Sequence, residues 1–350
     1  RYDTAKKICI TGSNGKTIIK EWLYQILSPE MSVARSPKSY NSQIGVPMSV
    51  WQLNELHQAA IFEAGISRPG EMQNLEKIIR PTIGIFTNIG EAHGKNFENI
   101  NYKVEEKLKL FLNVDTLIYC SDHKEIKEAV EKKNINTFSW SRKDNNADIQ
   151  IYSIEKGEEE TVISALSKKS QTQNSSQTLR FSDSQIQKIR IPFTDDASIE
   201  NAIHCWLAAM KFNIPANVIE KKMRHLSPIA MRMELKSGIN NCEVINDSYN
   251  SDFNSLTIAL DFMNQHHHNK EKVVILSDIL QSELQEEDLY NNIALLLKNK
   301  GVDRLIGIGK AISRQHDKFN ISKIFYEDTK DFLTNHKIED FHNQMILLKG

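Results

Sequence analysis

A glycine-rich segment near the start of the chain has the residue types of a phosphate-binding loop. The segment Thr11-Gly12-Ser13-Asn14-Gly15-Lys16-Thr17 lies between a short apolar run, residues 7–10, and a stretch of helical periodicity, residues 18–27. In such a loop the backbone N–H groups and the helix N-terminus bind phosphate oxygens, the lysine reaches the terminal phosphates, and the threonine hydroxyl contacts Mg²⁺. Ile10 stands where the general P-loop pattern has glycine, so the segment is a shorter subclass of that motif. We predict that residues 11–17 bind phosphate.

Two further polar segments follow apolar runs that have the character of strands. Glu63 follows residues 59–62, and Asn88 and His93 follow residues 83–86. Because the carboxyl ends of parallel strands share one edge of a sheet, Glu63 would lie beside the loop, where Mg²⁺ needs a hard oxygen ligand. The second segment suits a further metal or phosphate contact. The alternatives are a solvated carboxylate at a strand end and a structural or solvated histidine.

A lysine lies on the apolar side of a helix predicted over residues 102–112. Val104, Leu108 and Phe111 form the apolar stripe of this helix. Lys107 follows Val104 by three residues and precedes Phe111 by four, so it faces the buried side. Burial disfavours a charged amine and favours a neutral one. The alternative is a lysine at the edge of the stripe whose charged end reaches solvent.

The composition excludes several classes of protein. The 350 residues include 44 Lys and Arg against 45 Asp and Glu, for a net charge of −1, so no overall charge attracts the chain to nucleic acid or an anionic membrane. No apolar run is long enough to cross a bilayer, and no signal-peptide pattern opens the chain. The four cysteines are far apart in sequence, which argues against a disulfide framework or a structural zinc site. We expect a cytoplasmic globular protein.

The periodicity of the apolar residues predicts two α/β domains. Short apolar runs separated by helical patterns predict a parallel sheet, and alternating segments between residues 147 and 191 predict a small antiparallel piece attached to it. A second series of apolar runs begins near residue 243. The predicted fold class is therefore α/β, with a P-loop parallel sheet and a small antiparallel segment, followed by a second, Rossmann-like α/β domain. We place the domains at residues 1–230 and 231–350.

Taken in order, several motifs of the chain resemble those of the Mur ligases. Beside the loop at 11–17, they are Asn41-Ser42-Gln43-Ile44-Gly45-Val46-Pro47, Glu63-Ala64-Gly65, the segment 87–93, Asn201, Arg232, Asp247-Ser248-Tyr249-Asn250, Asp278 and the closing Leu347-Leu348-Lys349-Gly350. The resemblance covers nearly all of the chain. The motifs at 41–47 and 247–250 are similar to those of the family members that add D-alanyl-D-alanine.

The resemblance implies an ATP-dependent ligase of peptidoglycan precursor synthesis. Family members of this type join D-alanyl-D-alanine to UDP-N-acetylmuramoyl-tripeptide through an acyl phosphate, using ATP and Mg²⁺. The partners implied are these two small molecules, and neither nucleic acid nor a membrane; we expect a monomer. Residues 1–230 would be the ATP-binding central domain of the family, and residues 231–350 its C-terminal domain.

The resemblance also assigns roles to individual residues. The catalytic residues would be Lys16, Lys107 and His93. One Mg²⁺ would bind Thr17 and Glu63, and a second would bind His93 and a carbamylated Lys107, since a carbamate makes the lysine an anionic oxygen ligand and forms from the neutral amine. The residues that bind ATP would be Thr11, Gly12, Ser13, Asn14, Gly15, Lys16, Thr17, Asn201, Arg232 and Asp247. Those that bind the UDP-linked substrate or the dipeptide would be Asn41, Asn88, Tyr249, Asn250 and Lys349.

The chain departs from the family pattern at several places. Lys109 stands where the family commonly has Glu, but two residues on a helix are about 200° apart, so Lys109 should point away from Lys107. Residues 195–198, Asp-Asp-Ala-Ser, replace the usual Gly-Arg-His-Asn before Asn201, the expected adenine contact. Thr11 comes almost at the start and the chain stops at Gly350, so we expect that the family's N-terminal domain is absent and its C-terminus truncated. In some bacteria a ligase of this type is fused to an alanine racemase. A longer protein of that kind is compatible with the start and the end of this sequence.

Two alternatives stay open on the sequence alone. The chain could be another amino-acid ligase of the family, either tripeptide-forming or similar to folylpolyglutamate ligases, although the motif at 247–250 argues against this. It could also be a nucleotide-binding module whose ligase activity has decayed. The joint presence of Lys16, Thr17, Glu63, His93 and Lys107 argues against decay. A generic P-loop kinase or ATPase is disfavoured by Ile10.

Overall fold

The chain folds into two compact units. The computed structural model describes residues 5–90, 97–167, 186–249, 251–266, 269–280, 282 and 284–350. The first unit extends to Ser227 and the second begins at Pro228. The domain limits of 1–230 and 231–350 stay a prediction. In the described ranges, no helix is both long and apolar enough to cross a membrane.

The first unit is built on a nine-stranded sheet, counted over its described residues. Its strands are β1 Lys6–Thr11, β2 Val33–Arg35, β3 Ala59–Glu63, β4 Ile83–Phe86, β5 Thr116–Cys120, β6 Thr137–Ser141, β7 Ile149–Lys156, β8 Thr161–Ser167 and β9 Ile186–Ile191. Its helices are α1 Lys16–Leu27, α2 Gly45–Trp51, α3 Glu71–Ile79, α4 Ile100–Leu108, α5 Lys124–Glu131, α6 Asp196–Ala209 and α7 Ala216–Arg224. Short 3₁₀ turns, Lys109–Phe111 and Met210–Phe212, follow α4 and α6.

The strand order of this sheet determines where a ligand can bind. The order is β2-β3-β1-β4-β5-β6-β7-β8-β9, and the strands from β2 to β7 pair in parallel. The chain leaves β1 toward β2 and β3 on one side, then crosses to β4 on the other. Such a reversal opens a crevice at the carboxyl ends of the strands. The segment 11–17 follows β1 directly and therefore lies at that crevice.

Burial on both faces explains why the central strands are apolar throughout. All residues of β3 and β4 are buried, as parallel strands covered by helices on both faces require. Helices α1 and α6 pack together, while Phe62, Phe86 and Phe111 belong to a core cluster with residues of α3 and α4. The helix α4 begins at Ile100, earlier than the periodicity predicts, because Asn99 caps it by accepting a hydrogen bond from the Tyr102 N–H at 2.9 Å.

The far edge of the sheet is antiparallel. Strand β8 pairs in antiparallel fashion with both β7 and β9, whereas β7 pairs in parallel with β6. The strands β7 to β9 are therefore an extension of the parallel sheet. This is the small antiparallel segment predicted between residues 147 and 191.

The second unit is a smaller α/β sandwich. Its strands are β10 Glu234–Ser237, β11 Glu243–Asp247, β12 Glu271–Ser277, β13 Arg304–Ile308, β14 Ser322–Tyr326 and β15 Gln344–Lys349. Its helices are α8 Phe253–Gln265, α9 Glu286–Asn299, α10 Lys310–Arg314 and α11 Thr329–Asn335. The strand order is β10-β11-β15-β12-β13-β14, parallel except for β10, with apolar clusters covering the sheet. The predicted fold class is confirmed.

Candidate active site

The glycine-rich loop makes a tight turn between β1 and α1 that two glycines permit. Gly12 has φ 145° and Gly15 has φ 83°, values that favour glycine. A Cβ on Gly12 would lie 1.9 Å from Thr87 Oγ1, and a Cβ on Gly15 would lie 2.2 Å from Asn201 Oδ1. Gly15 is also the N-cap of α1 and provides no side-chain cap. The first N–H groups of α1 are therefore placed to bind an anion.

Neighbouring residues hold the loop in this conformation. The Thr87 hydroxyl donates to Asn14 O at 2.6 Å, and Asn88 Oδ1 accepts from the Asn14 N–H at 2.9 Å. Asn88 O accepts from the Ser13 N–H at 2.9 Å, and the Thr11 hydroxyl donates to Ala64 O at 2.8 Å. The loop is thus fixed before any ligand binds, which is the preorganisation that phosphate recognition requires.

The ammonium of Lys16 lies across the mouth of the loop. It donates to Gly12 O at 2.8 Å and to Ser13 O at 2.9 Å. Both acceptors are neutral carbonyls. A phosphate anion would make stronger, charge-assisted hydrogen bonds to the same ammonium.

Glu63 and Thr17 form a pair of oxygen donors beside the loop. The Thr17 hydroxyl donates to Glu63 Oε2 at 3.1 Å and is 3.2 Å from Ser39 Oγ. Glu63 is fully buried at the end of β3. Its other oxygen, Oε1, is 2.9 Å from Lys20 Nζ in an orientation that makes no hydrogen bond to the described residues. A hydroxyl and a buried carboxylate suit a small, hard cation such as Mg²⁺.

Two lysines of α4 reach the same region. Lys107 is buried, as the position of this residue on the apolar stripe predicts, and Lys107 Nζ donates to Gly12 O at 3.2 Å. Lys103, one turn earlier and also buried, donates to Gly90 O at 2.5 Å. Burial lowers the pKa of the Lys107 amine well below its usual range, and the charges of Lys16 and Lys103 lower it further. Burial therefore favours the neutral, nucleophilic form of the Lys107 amine over the charged form.

Lys109, which departs from the family pattern just after α4, points away from Lys107. The Lys109 side chain is 40% exposed, and its ammonium pairs with Glu106 Oε2 at 2.6 Å. Glu106 is buried, and its other oxygen accepts from the Gly70 N–H at 2.6 Å. Lys109 is therefore part of a structural contact that ties α4 to the start of α3, at a separate position from Lys107.

Two asparagines predicted to bind ligands lie against the loop and against β3. Asn201 is buried on α6, with its side-chain amide against Gly15. Asn41 O accepts from the Gly65 N–H at 2.8 Å, just after Glu63. The fold brings both residues to the carboxyl end of the central strands.

The second unit contains its own polar cluster. Lys349 is buried, and its ammonium pairs with Asp247 Oδ2 at 2.6 Å. Burial raises the pKa of Asp247 above its usual value, and the charge of Lys349 opposes that rise. The Arg232 guanidinium lies 3.9 Å from the centroid of the Tyr249 ring. Arg232 is flanked by Met231 and Met233 at φ 58° and 48°, a left-handed conformation that costs free energy in non-glycine residues.

The comparisons with known proteins decide the family. Residues 10–209 match the Mur ligase middle domain, and residues 231–350 match the family described as Mur ligase, glutamate ligase domain. The chain belongs to the Mur ligase family. This confirms the resemblance found in the sequence.

Curated relatives include ligases of this family, and solved structures share the fold of the chain. A UDP-N-acetylmuramoyl-tripeptide–D-alanyl-D-alanine ligase of Bacillus subtilis is 26% identical over 354 residues, covering 98% of this chain and 72% of its own. A crystal structure of MurF from Acinetobacter baumannii matches with a TM-score of 0.79 at 23% identity, over 99% of this chain and 74% of that one. MurF ligase from Thermotoga maritima in complex with ADP matches with a TM-score of 0.77 at 17% identity, over 99% and 76% of the two chains.

Only some of the predicted site residues of this Mur ligase lie together around the glycine-rich loop. Around the loop it brings together residues of the first unit, namely Lys16, Thr17, Asn41, Glu63, Asn88, Lys107 and Asn201. Arg232, Asp247, Tyr249 and Lys349 lie in the second unit. His93 and Asn250 lie outside the described residues.

Sequence reasoning missed three residues of this region of the Mur ligase fold. Thr87 fixes the loop, Lys103 lies one turn before Lys107, and Lys20 contacts Glu63. The signal for Lys20 and Lys103 was present, since each is spaced by four residues from a lysine already singled out and so shares its helix face.

Proposed function

We propose that this Mur ligase joins D-alanyl-D-alanine to UDP-N-acetylmuramoyl-tripeptide, at the expense of ATP. The relatives named for this reaction support the proposal, and one of them aligns with 98% of the chain. The structure of a related ligase in complex with ADP supports the use of an adenine nucleotide. We further propose that the protein acts in the cytoplasm as a monomer on these two small molecules.

The observation that carries the proposal is the convergence of four side chains on one loop. Lys16 and Lys107 both donate to Gly12 O, while Thr17 and Glu63 lie together at the first turn of α1. Phosphoryl transfer is catalysed mainly by positioning and by charge placed around the transferred group. An ammonium, an oxygen pair for a cation and the N-terminus of α1 meet that need.

The proposed reaction has two steps. First, a carboxylate oxygen of the tripeptide attacks the γ-phosphorus of ATP, the bond to the β-phosphate oxygen breaks, and ADP leaves. The amine of D-alanyl-D-alanine then attacks the carbonyl carbon of the acyl phosphate, inorganic phosphate leaves, and the amine loses a proton. In the first step Lys16 would stabilise the negative charge on the transferring phosphoryl oxygens.

Thr17 and Glu63 fit a Mg²⁺ ion. The two side chains present a hydroxyl and a carboxylate oxygen 3.1 Å apart, and Glu63 is fully buried, which favours binding of a compensating cation. Bound there, Mg²⁺ would neutralise charge on the phosphate oxygens. We propose His93 and Lys107 as the residues of a second metal position.

Lys107 fits the carbamate that the family resemblance implies. Its amine is buried, and burial lowers the pKa of the amine and favours the neutral form that attack on CO₂ requires. In that attack the amine nitrogen bonds to the carbon and releases a proton. The product is an anion close to the positive charges of Lys16 and Lys103, which would stabilise it.

The remaining assignments concern residues that would bind the nucleotide and the substrates, some in the first unit and some in the second. For the nucleotide we propose the loop residues 11–17 together with Asn201, Arg232 and Asp247. For the UDP-linked substrate and the dipeptide we propose Asn41, Asn88, Tyr249, Asn250 and Lys349. Asn88 would act through the loop, since its side chain accepts from the Asn14 N–H.

Phosphate release tests this function. The protein is given ATP, Mg²⁺ and UDP-N-acetylmuramoyl-tripeptide, with and without D-alanyl-D-alanine, and the product mass is read from the same reaction. We expect phosphate release that depends on the dipeptide, and a pentapeptide product. Release without that dependence would contradict the dipeptide as acceptor, and no release would contradict the ligase activity.

A further inference from the structure

Lys20 is a buried cation at the proposed metal site that the reaction described above does not use. It lies in α1 one turn after Lys16, and its side chain and that of Glu63 are both 0% exposed. Lys20 Nζ is 2.9 Å from Glu63 Oε1. A buried ammonium is costly without partners of opposite charge, so Lys20 is held where it is by the carboxylates around it.

Lys20 is shared between two carboxylates. It is 3.1 Å from Glu21 Oε1, and Glu21 pairs through its other oxygen with Arg35. The Lys20 ammonium also donates to Lys38 O. The charges therefore alternate from the buried Glu63 through Lys20 and Glu21 to the half-exposed Arg35.

The contact with Lys20 fixes the orientation of the Glu63 carboxylate. Oε1 faces Lys20, while Oε2 faces the Thr17 hydroxyl at 3.1 Å. Only Oε2 is therefore left for a metal ion next to Thr17. When a cation takes Oε2, Lys20 still has Glu21 as a counter-ion and can keep its place.

We propose that Lys20 bars a free divalent cation from Glu63 and admits one that arrives with nucleotide phosphates. A divalent cation at Oε2 would share one carboxylate with the Lys20 ammonium and lie near that of Lys16, and like charges repel strongly away from bulk water. The phosphate anions of a nucleotide offset both ammonium groups. Metal and nucleotide therefore bind together, and Lys20 is a positioning residue.

The test measures Mn²⁺ binding to the nucleotide-free protein at pH 8 by electron paramagnetic resonance. Lys20→Met should bind Mn²⁺ at least roughly tenfold more tightly than the unaltered protein, and Lys20→Met/Glu63→Gln should lose that gain. Lys20→Arg, which keeps the charge, should behave as the unaltered protein. Lys7→Met is the matched control, a buried lysine at the opposite end of β1, and should leave Mn²⁺ binding unchanged.

An unchanged Mn²⁺ affinity in folded Lys20→Met would overturn the inference, and so would a gain that survives Glu63→Gln. If Lys20→Met does not fold, Glu21→Gln decides. That variant leaves the Lys20 charge less neutralised, so Mn²⁺ should bind several-fold more weakly in the presence of ADP; equal binding would overturn the inference.

The inference rests on the proposed function only in taking Glu63 as a metal ligand. Glu63→Gln alone tests that point. Undiminished Mn²⁺ binding with ADP in Glu63→Gln would reject the proposed metal site, whereas weakened binding together with no gain in Lys20→Met would reject the role of Lys20 alone.

Discussion

Both units contain a strand, a glycine turn and a helix that begins with lysine, yet the two turns have opposite chemistry. In the first unit β1 leads through Gly15 into α1 at Lys16, and in the second β13 leads through Gly309 into α10 at Lys310. The side chains packed against Gly12 and Gly15 are neutral: the Thr87 hydroxyl contacts Gly12 and the Asn201 amide contacts Gly15. The group that closes against Gly309 is the carboxylate of Asp278.

Asp278 occupies the position that an anionic ligand would take in the second turn. Its two oxygens accept from the N–H groups of Ala311 and Ile312 at 3.1 and 2.8 Å. The first turns of helices bind anions because their N–H groups lack partners within the helix. The two glycine turns therefore differ in what lies against them: a carboxylate that already binds the helix N–H groups at Gly309, and the neutral amide of Asn201 at Gly15.

The largest expected difference between the two turns is the effect on kcat of replacing the lysine that begins each helix. Lys16→Ala should lower kcat by at least about 10³-fold, because it removes the charge on the transferring phosphoryl group. Lys310→Ala, the matched change in the second turn, should change kcat by less than about twofold. Dipeptide-dependent phosphate release measures both. Equal losses in the two variants, or an active Lys16→Ala, would break the comparison.

The second expected effect concerns Lys107, whose amine donates a hydrogen bond to Gly12 O in the first turn. Lys107→Ala should lose activity by at least about 10²-fold, and high bicarbonate with short-chain carboxylates should restore part of it by supplying the missing anion. Lys109→Ala is the control on the same segment, since Lys109 is half-exposed and pairs with Glu106; it should keep activity within about twofold. Full activity of Lys107→Ala in bicarbonate-free buffer would rule out a carbamate role.

The response of the first unit to acid should depend on one buried histidine. Burial lowers the pKa of His204 to about 4, against an ordinary value of 6.5. The unfolded chain therefore binds a proton that the folded chain does not, and stability falls as the pH drops from 6.5 toward 4. Between pH 7 and pH 4.5 this histidine should remove about 2 kcal/mol from the free energy of unfolding of the first unit.

Tryptophan fluorescence in urea checks the acid response, because all four tryptophans belong to the first unit. His204→Gln should lose about 2 kcal/mol less than the unaltered protein over that pH range. His336→Gln is the control in the second unit, where burial also lowers the histidine pKa; it should not alter the tryptophan transition. An identical pH dependence in His204→Gln would contradict the assignment.

The smallest expected effect is local. Asp278→Ala removes the acceptor of two N–H groups in the second turn, so the free energy of local opening should fall by about 1–3 kcal/mol. Hydrogen exchange should speed up at the Ala311 and Ile312 amides, with ADP binding unchanged. Unchanged exchange at these amides would show that the carboxylate does not hold the turn.

Local sequence patterns foretold the parts of the molecule that depend on neighbouring residues. The apolar stripe of Val104, Leu108 and Phe111 placed Lys107 on the buried side of its helix and left open whether its charged end reaches solvent; the residue is buried. The alternation between 147 and 191 predicted the antiparallel strands. The motifs also led to the right family. In each case the periodicity or the motif is contained in a short stretch of chain.

Local sequence patterns did not predict contacts between residues that are far apart in the sequence. Nothing in the sequence shows that Asp278 closes a turn 31 residues further on, because that depends on the pairing of β12 with β13. The contact of Lys20 with Glu63 depends in the same way on the packing of α1 beside β3. Asn88 was predicted as a substrate contact, but only the fold reveals its hydrogen bond to the loop.

The most direct test of the account follows oxygen atoms through the reaction. The protein is given ATP, D-alanyl-D-alanine and UDP-N-acetylmuramoyl-tripeptide labelled with ¹⁸O in its terminal carboxylate, and the released phosphate is analysed by mass spectrometry. An acyl phosphate transfers one labelled oxygen to phosphate, so we predict ¹⁸O in the inorganic phosphate and one ¹⁸O in the new amide. Unlabelled phosphate would mean that water had attacked ATP, and would contradict the claim that the first glycine turn serves a ligase.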